Sequence, residues 1–129
     1  MLRIFLITVF SSLVFACSTT QTGRGLDNWP DSQLLTSVWD QKSDQIDEEV
    51  AAEIARRGII PETEWALIRQ RDVEDGMSEN GLFASLGTPT RTSPISTWDG
   101  IQNDYDFIRG NVRYKVSVKK GVVVSHRRY

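Results

Sequence analysis

The stretch "NDYDFIRGNVRYKVSV", residues 103–118, contains two runs in which apolar and polar residues alternate. Alternation with a period of two is typical of strands that bury one face. A two-residue turn at Arg109-Gly110 would join the runs and fix their register. That register makes four cross-strand pairs: Tyr105 with Tyr114, Phe107 with Val112, Asp104 with Lys115, and Asp106 with Arg113. Because it gives one apolar face and one face of opposite charges, the stretch predicts an antiparallel hairpin.

The chain on either side of this hairpin predicts more strands. After it, Lys119-Lys120-Gly121 fits a three-residue loop, a type I turn followed by a G1 bulge. The strand after that loop would pair Val118 with Val122, Val116 with Val124, and Tyr114 with His126. Before the hairpin, Arg91–Trp98 is predicted as a further strand that ends at Asp99-Gly100. The sequence therefore predicts an antiparallel meander of three strands, or of four if Arg91–Trp98 joins it.

The segment "DGMSENGLFASLGTP", residues 75–89, has the pattern of a short capped helix. Ser78 is the predicted N-cap, and apolar residues on either side of it occupy the positions of a hydrophobic staple. A glycine and a proline end the helix. A helix this short is not stable alone in water, so we expect it to pack on the sheet. The motif comprises Gly76, Met77, Ser78, Leu82, Leu86, Gly87 and Pro89.

Three more helices are predicted upstream, over Asp31–Trp39, over Asp44–Arg57, and from Pro61 to about Asp72. The second has the clearest pattern, since apolar residues recur every four positions and acids crowd its first turn. With the meander, they predict an α+β domain whose N-terminal helices pack on the sheet. We therefore divide this part of the chain into an acidic helical segment, residues 31–72, and a domain over residues 73–129.

Charge is distributed unevenly along the chain. Residues 27–80 carry 14 acidic and 5 basic residues, whereas residues 91–129 carry 8 basic and 3 acidic residues. The sequence pI of about 5.4 argues against a nucleic-acid-binding protein. The basic strands, with Arg113 and Lys115, are candidates for contact with anionic lipid headgroups. The alternative is that these cations only offset the nearby aspartates and the acidic helices.

The N-terminus has the pattern of a bacterial lipoprotein signal. Arg3 precedes an apolar run from Ile4 to Ala16, which is too short to span a bilayer as a helix. The run ends in "LVFAC", which resembles a lipobox and would leave Cys17 acylated, with palmitate among its chains. Cys17 is the only cysteine, so an exported chain forms no internal disulfide. We predict a signal peptide over residues 1–16 and a lipidated tether over 17–30; the alternative is an ordinary signal peptide with Cys17 near the cut.

Residues 76–94, "GMSENGLFASLGTPTRTSP", resemble the Gly-Met-Ser/Thr … Leu-Gly-x-Pro signature of the SmpA/OmlA/BamE-like outer-membrane lipoproteins. The resemblance covers about Asp72–Tyr129 and the lipoprotein signal. It implies an ααβββ-type domain that is held at the outer membrane and faces the periplasm. It also implies a non-enzymatic accessory in envelope integrity, with β-barrel assembly components as possible partners. By position in that family, Phe107 and Arg109 would contact partner protein and anionic lipid.

The sequence offers little for catalysis. His126 is the only histidine, and no Gly-x-Ser-x-Gly motif, phosphate loop or metal-spaced set of His and Cys occurs. We therefore expect a binding or scaffolding lipoprotein that is not an enzyme, with no metal and no cofactor apart from the lipid on Cys17. The alternative is an inhibitor-like or ligand-binding periplasmic module, which needs an uncovered aromatic sheet face at Tyr105, Phe107 and Tyr114.

Overall fold

The computed structural model describes residues 25–129, which contain four α-helices, a two-stranded ribbon and a four-stranded antiparallel sheet. The helices are α1 (Asp31–Thr36), α2 (Glu48–Arg57), α3 (Trp65–Arg69) and α4 (Glu79–Leu86), with 3₁₀ turns at Leu26–Asn28 and Glu62–Glu64. The strands are β1 (Trp39–Asp40), β2 (Gln45–Ile46), β3 (Arg91–Thr97), β4 (Gly100–Arg109), β5 (Val112–Lys119) and β6 (Val122–Arg128). The sheet order is β3-β4-β5-β6, so the predicted mixture of helices and an antiparallel sheet is confirmed and β3 is its fourth strand. Within residues 25–129, no helix has the length and apolarity needed to cross a membrane.

A short ribbon forms where the sequence predicts the end of the first helix and the start of the second. α1 ends at Thr36, before Trp39, and α2 begins at Glu48, after Asp44. The residues between them pair as β1 and β2, so their backbone hydrogen bonds are made across the ribbon. Asp40 closes the turn of the ribbon, because its carboxylate accepts hydrogen bonds from the backbone N–H of Lys42 and from the hydroxyl of Ser43. The ribbon therefore separates helices that the sequence pattern places closer together.

The predicted cap of α4 is confirmed. The Ser78 hydroxyl oxygen accepts a hydrogen bond from the Gly81 N–H at 3.0 Å. Met77 and Leu82, at the two staple positions, are both buried. Gly87 follows the helix with a φ of 83°, a region that favours glycine.

The segment before α4 is hydrogen-bonded to the last strand of the sheet. Ser78 forms a backbone bridge with Val122. Two backbone hydrogen bonds form this bridge, from the Val123 N–H to the Met77 carbonyl at 2.8 Å and from the Glu79 N–H to the Gly121 carbonyl at 2.9 Å. A third joins the Gly76 N–H to the Val123 carbonyl at 2.8 Å. The start of α4 is therefore fixed to the edge of β6.

The register of the first hairpin differs from the prediction by two residues. Its turn lies at Gly110-Asn111, where Gly110 has a φ of 57°, and not at Arg109-Gly110. Glycine at the first position of a two-residue turn meets the need for positive φ there. The observed pairs are Tyr105 with Val116, Phe107 with Tyr114, Asp104 with Ser117, and Asp106 with Lys115. Since side chains alternate with a period of two, this shift leaves each residue on its predicted face.

The second hairpin also turns more tightly than predicted. Its loop is Lys120-Gly121, and both residues have positive φ, 53° and 74°, as a type I′ turn requires. The bulge lies within the strands, beside Ser117 and Val118, and not in the loop. The observed pairs are Lys119 with Val122, Val118 with Val123, Val116 with His126, and Tyr114 with Arg128.

One cluster of buried residues contains side chains from all four helices and from the sheet. α1 and α3 contact α4, and α4 contacts β6. The Phe83 ring of α4 meets the Tyr105 ring of β4 edge-on, with centroids 5.2 Å apart. The Tyr105 hydroxyl donates a hydrogen bond to Glu79, and burial together with that bond raises the pKa of Tyr105 well above its usual value. α4 is therefore held to the sheet by a ring contact and by a hydrogen bond.

Candidate binding cleft

Two arginines from distant parts of the chain meet beside the end of β4. Arg109 is the last residue of β4, and Arg71 lies in the connector between α3 and α4. The carboxylate of Asp44, in the turn of the β1–β2 ribbon, pairs with the Arg71 guanidinium and lies 3.7 Å from that of Arg109. The sheet, the helical segment and the ribbon each contribute one charged group to this position.

Trp39 of β1 completes the group. The guanidinium carbon of Arg71 lies 3.7 Å from the centroid of the Trp39 ring, which is within the range of a cation–π contact. Stacking of this kind fixes the plane of the guanidinium and leaves its edge for hydrogen bonds. We call Trp39, Asp44, Arg71 and Arg109 the arginine cluster.

Two members of the arginine cluster have an unusual backbone conformation. Asp44 has a φ of 55° and Arg71 a φ of 52°. For residues other than glycine, this left-handed region costs on the order of 1–3 kcal/mol. Lys120, in a turn, is the remaining non-glycine residue with positive φ among residues 25–129. Strain concentrated in one place favours a functional role for that place.

The arginine cluster lines a cleft of about 350 Å³ that is bounded by α1, the end of α4 and β4. Arg71 and Arg109 also line a second concavity of about 490 Å³ on the side of Arg128. The two arginines therefore lie where two concave surfaces meet. The apolar walls of the first cleft include Leu35 and Leu86.

Two buried donors of the arginine cluster have no acceptor among the described residues. They are the indole Nε1 of Trp39 and the guanidinium Nε of Arg71. A buried donor without a partner costs about 1–3 kcal/mol, and native proteins rarely retain one. Within the described part of the chain, Asp44 is the one carboxylate that lies within 4 Å of either guanidinium. The arginine cluster is therefore rich in donors and poor in acceptors.

Phe107, which the family resemblance assigns to a partner contact, instead lies in the core. Its side chain is 1% exposed, and its ring contacts those of Phe83 and Tyr105. It has this environment because it shares the buried face of β4 with Tyr105. The surface at the end of this strand is formed by its neighbours Ile108 and Arg109.

Arg113 and Lys115 are exposed on the opposite face of the sheet. Lys115 lies opposite Asp106 in the register, and Arg113 lies opposite Ile108. No ion pair joins either cation to another side chain in residues 25–129. The predicted contact residues therefore do not form one surface, since Arg109 alone faces the cleft. Cys17 lies outside the described residues.

The far end of the β3–β4 hairpin exposes apolar side chains. Trp98, in its turn, is 97% exposed, and Ile101 is 64% exposed.

Elsewhere on the surface, His126 Nδ1 lies 2.7 Å from the carboxylate of Asp75. Residues 25–129 contain no group of three or more His, Cys, Asp or Glu side chains that could hold a metal ion.

The sequence pointed to one member of the arginine cluster and missed the other three. The sequence predicts Arg109 as a contact residue, whereas it predicts Trp39 as the last residue of the first helix. Asp44 and Arg71 carry no local signal, because exposed charges of this kind are common on acidic and basic helix ends. Their proximity depends on tertiary structure, which no short spacing in the sequence encodes.

The chain matches no protein-family model, no curated protein and no solved structure.

Proposed function

We propose that this chain is a non-enzymatic outer-membrane lipoprotein that docks a partner protein through the cleft of the arginine cluster. Lipid on Cys17 would anchor it, and the domain would face the periplasm. The observation that carries this proposal is an open cleft lined by two arginines that share the single carboxylate of Asp44. Donors arranged around a cleft are what recognition of another molecule requires.

The resemblance to the SmpA/OmlA/BamE-like lipoproteins supports a role in the bacterial envelope. Within that role, we propose an accessory in envelope maintenance, with the β-barrel assembly machinery as its candidate partner. In this arrangement the N-terminal helices pack on the meander through α4, which α1 and α3 contact. The acidic helices would then form part of the docking surface beside the cleft.

The alternative of an inhibitor-like or ligand-binding module has less support. That function needs an uncovered aromatic face on the sheet. Tyr105 and Phe107 are buried, and Tyr114 is half-buried. The burial of these rings favours docking through the cleft over docking through the face of the sheet.

Photocrosslinking in cells tests the docking proposal. A benzoylphenylalanine at Thr88, an exposed residue that lines the cleft, should capture a protein partner. The same probe at Ser125, exposed on β6 and paired with Ser117 on the opposite face of the sheet, is the control and should not capture it. Arg109→Gln should reduce capture at Thr88. Failure to recover any β-barrel assembly component would contradict the assignment of that machinery as the partner. Equal capture at Thr88 and Ser125 would contradict the cleft as the docking site.

A further inference from the structure

We propose that the cleft binds the acidic side chain of a polypeptide, and that Asp44 occupies this position in the free protein. The inference rests on the proposed docking function and deepens it, because it names the chemical group that the partner presents. The observation behind it is that a side-chain carboxylate is already seated against Arg71 and Arg109.

The charge balance of the arginine cluster favours a second carboxylate. Two guanidinium groups face the single carboxylate of Asp44. The buried Nε atom of Arg71 and the indole Nε1 of Trp39 lack acceptors among the described residues. Arginine presents a planar fork of donors that matches a carboxylate, and such charge-assisted hydrogen bonds are among the strongest in proteins. An incoming carboxylate therefore meets two guanidinium groups that share one internal carboxylate.

Asp44 is the replaceable member of the arginine cluster. Its side chain is 77% exposed, whereas those of Arg71 and Arg109 are 16% and 28% exposed. Its backbone has positive φ at the end of a tight turn, so movement of this turn relieves an unfavourable conformation. Ion pairs to exposed partners contribute little net stability, so displacing Asp44 costs little. Arg71 keeps its stacking contact with the Trp39 ring when Asp44 moves.

The cleft itself favours a peptide over a larger ligand. A volume of about 350 Å³ lies near the lower end of the range for ligand pockets, so the cleft accommodates a short segment. Leu35 and Leu86 give it apolar walls, which suit the aliphatic part of an acidic side chain and its neighbours. Asp44 is itself a carboxylate carried on a backbone, so the occupant that is present has the chemistry that we assign to the partner.

Calorimetric titration with matched peptides tests this inference on the full chain purified in detergent. The probe is acetyl-Ala-Asp-Ala-amide, and its control is acetyl-Ala-Asn-Ala-amide, which has the same shape and no charge. We expect the aspartate peptide to bind about tenfold more tightly, since one charge-assisted hydrogen bond distinguishes the two. Asp44→Asn should tighten its binding about fivefold by removing the internal competitor.

Two arginine variants test whether the aspartate peptide binds at the arginine cluster. Arg109→Gln should weaken binding of the aspartate peptide about tenfold. Arg113→Gln removes the same charge on the opposite face of the sheet and should leave binding unchanged, so it controls for net charge. Circular dichroism of each variant verifies that the fold is retained.

Several results would overturn the inference. They are equal binding of the two peptides, weaker binding by Asp44→Asn, and binding of inorganic phosphate as tight as that of the aspartate peptide at the same ionic strength. Crosslinking at Thr88 in cells separates this inference from the docking proposal. If capture at Thr88 persists while the peptides do not bind, docking stands and the carboxylate assignment falls. If capture is lost while the peptide binds, the docking proposal falls and the carboxylate site stands.

Discussion

The buried carboxylate of Glu64 accepts a hydrogen bond from the backbone N–H of Ser78, 14 residues further along the chain. A Cβ atom at Gly81 would lie 2.6 Å from that carboxylate and 3.1 Å from the Ser78 hydroxyl. The Glu64 carboxylate therefore occupies the space that a side chain at position 81 would need. This explains a glycine inside α4, where it costs about 1 kcal/mol relative to alanine.

A double-mutant cycle tests this relationship. We expect Gly81→Ala to lower the free energy of unfolding by about 1–2 kcal/mol, because the new methyl group displaces the Glu64 carboxylate from Ser78. In a Glu64→Ala background, Gly81→Ala should raise stability by up to about 1 kcal/mol, since the closest contact is removed and helix propensity favours alanine. Urea denaturation of the four proteins gives the coupling. Equal effects of Gly81→Ala in both backgrounds would contradict the contact.

The position of Phe107 in the core is tested by comparing it with its neighbour. Phe107→Ala should lower the free energy of unfolding by about 3–5 kcal/mol, because it removes a fully buried ring. Ile108→Ala, at a side chain that is 52% exposed, should cost less than about 1 kcal/mol. Chemical denaturation measures both. Similar values for the two variants would argue that Phe107 is not in the core.

The exposed cations of β5 give a prediction for membrane binding. If Arg113 and Lys115 face anionic headgroups, each contributes about 1 kcal/mol near the surface, so neutralising either should weaken vesicle binding about fivefold. Sedimentation of the full chain with vesicles that contain or lack anionic lipid measures this. Binding should also fall as salt rises. Binding that does not depend on lipid charge or salt would contradict the headgroup contact. Arg113 and Lys115 would then only offset the nearby aspartates and the acidic helices.

Glu53 of α2 gives a prediction for acid stability. Its carboxylate accepts hydrogen bonds from Arg56 and Arg57, which lower the pKa of Glu53 from 4.5 to about 2. Because the folded pKa lies below the unfolded value, this interaction stabilises the fold above pH 4.5, and the contribution is lost as pH falls toward 2. Glu53→Gln should therefore be less stable than wild type at pH 7 and equally stable near pH 2. Denaturation midpoints across this range measure the difference, and a gap that does not change with pH would contradict the assignment.

The lipid anchor is tested separately from the docking surface. Growth with labelled palmitate should label the wild-type chain and not Cys17→Ala, because the sequence contains no other cysteine. The variant should also leave the membrane fraction, since acyl chains supply the predicted attachment. Persistent labelling of Cys17→Ala would show that the lipid is attached elsewhere or that another signal operates.

Much of the sheet and of α4 was predictable because their signals are local. Alternation of apolar and polar residues in β4 and β5 specifies two faces, and both faces were assigned correctly. The exact register was missed, because glycine at position 110 suits either of two adjacent turns and both keep the same faces. The ribbon at Trp39 was also missed, since two-residue strands leave no periodic pattern.

The candidate site was less predictable than the fold. Arg109 was found through a family resemblance, whereas the positions of Asp44 and Arg71 depend on tertiary structure and on positive φ, which aspartate adopts more readily than arginine. The family resemblance assigned Phe107 to a partner contact, whereas its place in the alternating pattern predicted the apolar face, and the side chain lies in the core. Aromatic residues at alternating positions of a strand mark its buried face, so the pattern around Phe107 indicated packing in the core.

Neither border of the four-stranded sheet offers an unbroken row of free backbone groups. On one side, the segment before α4 occupies the carbonyls of Gly121 and Val123. On the other, β3 contains Pro94, which has no N–H to donate. Strand addition, the usual route by which exposed sheets aggregate or capture extended peptides, is therefore interrupted at both borders. In the lipid-anchored protein that we propose, this geometry would discourage self-association at the membrane and leave recognition to side chains.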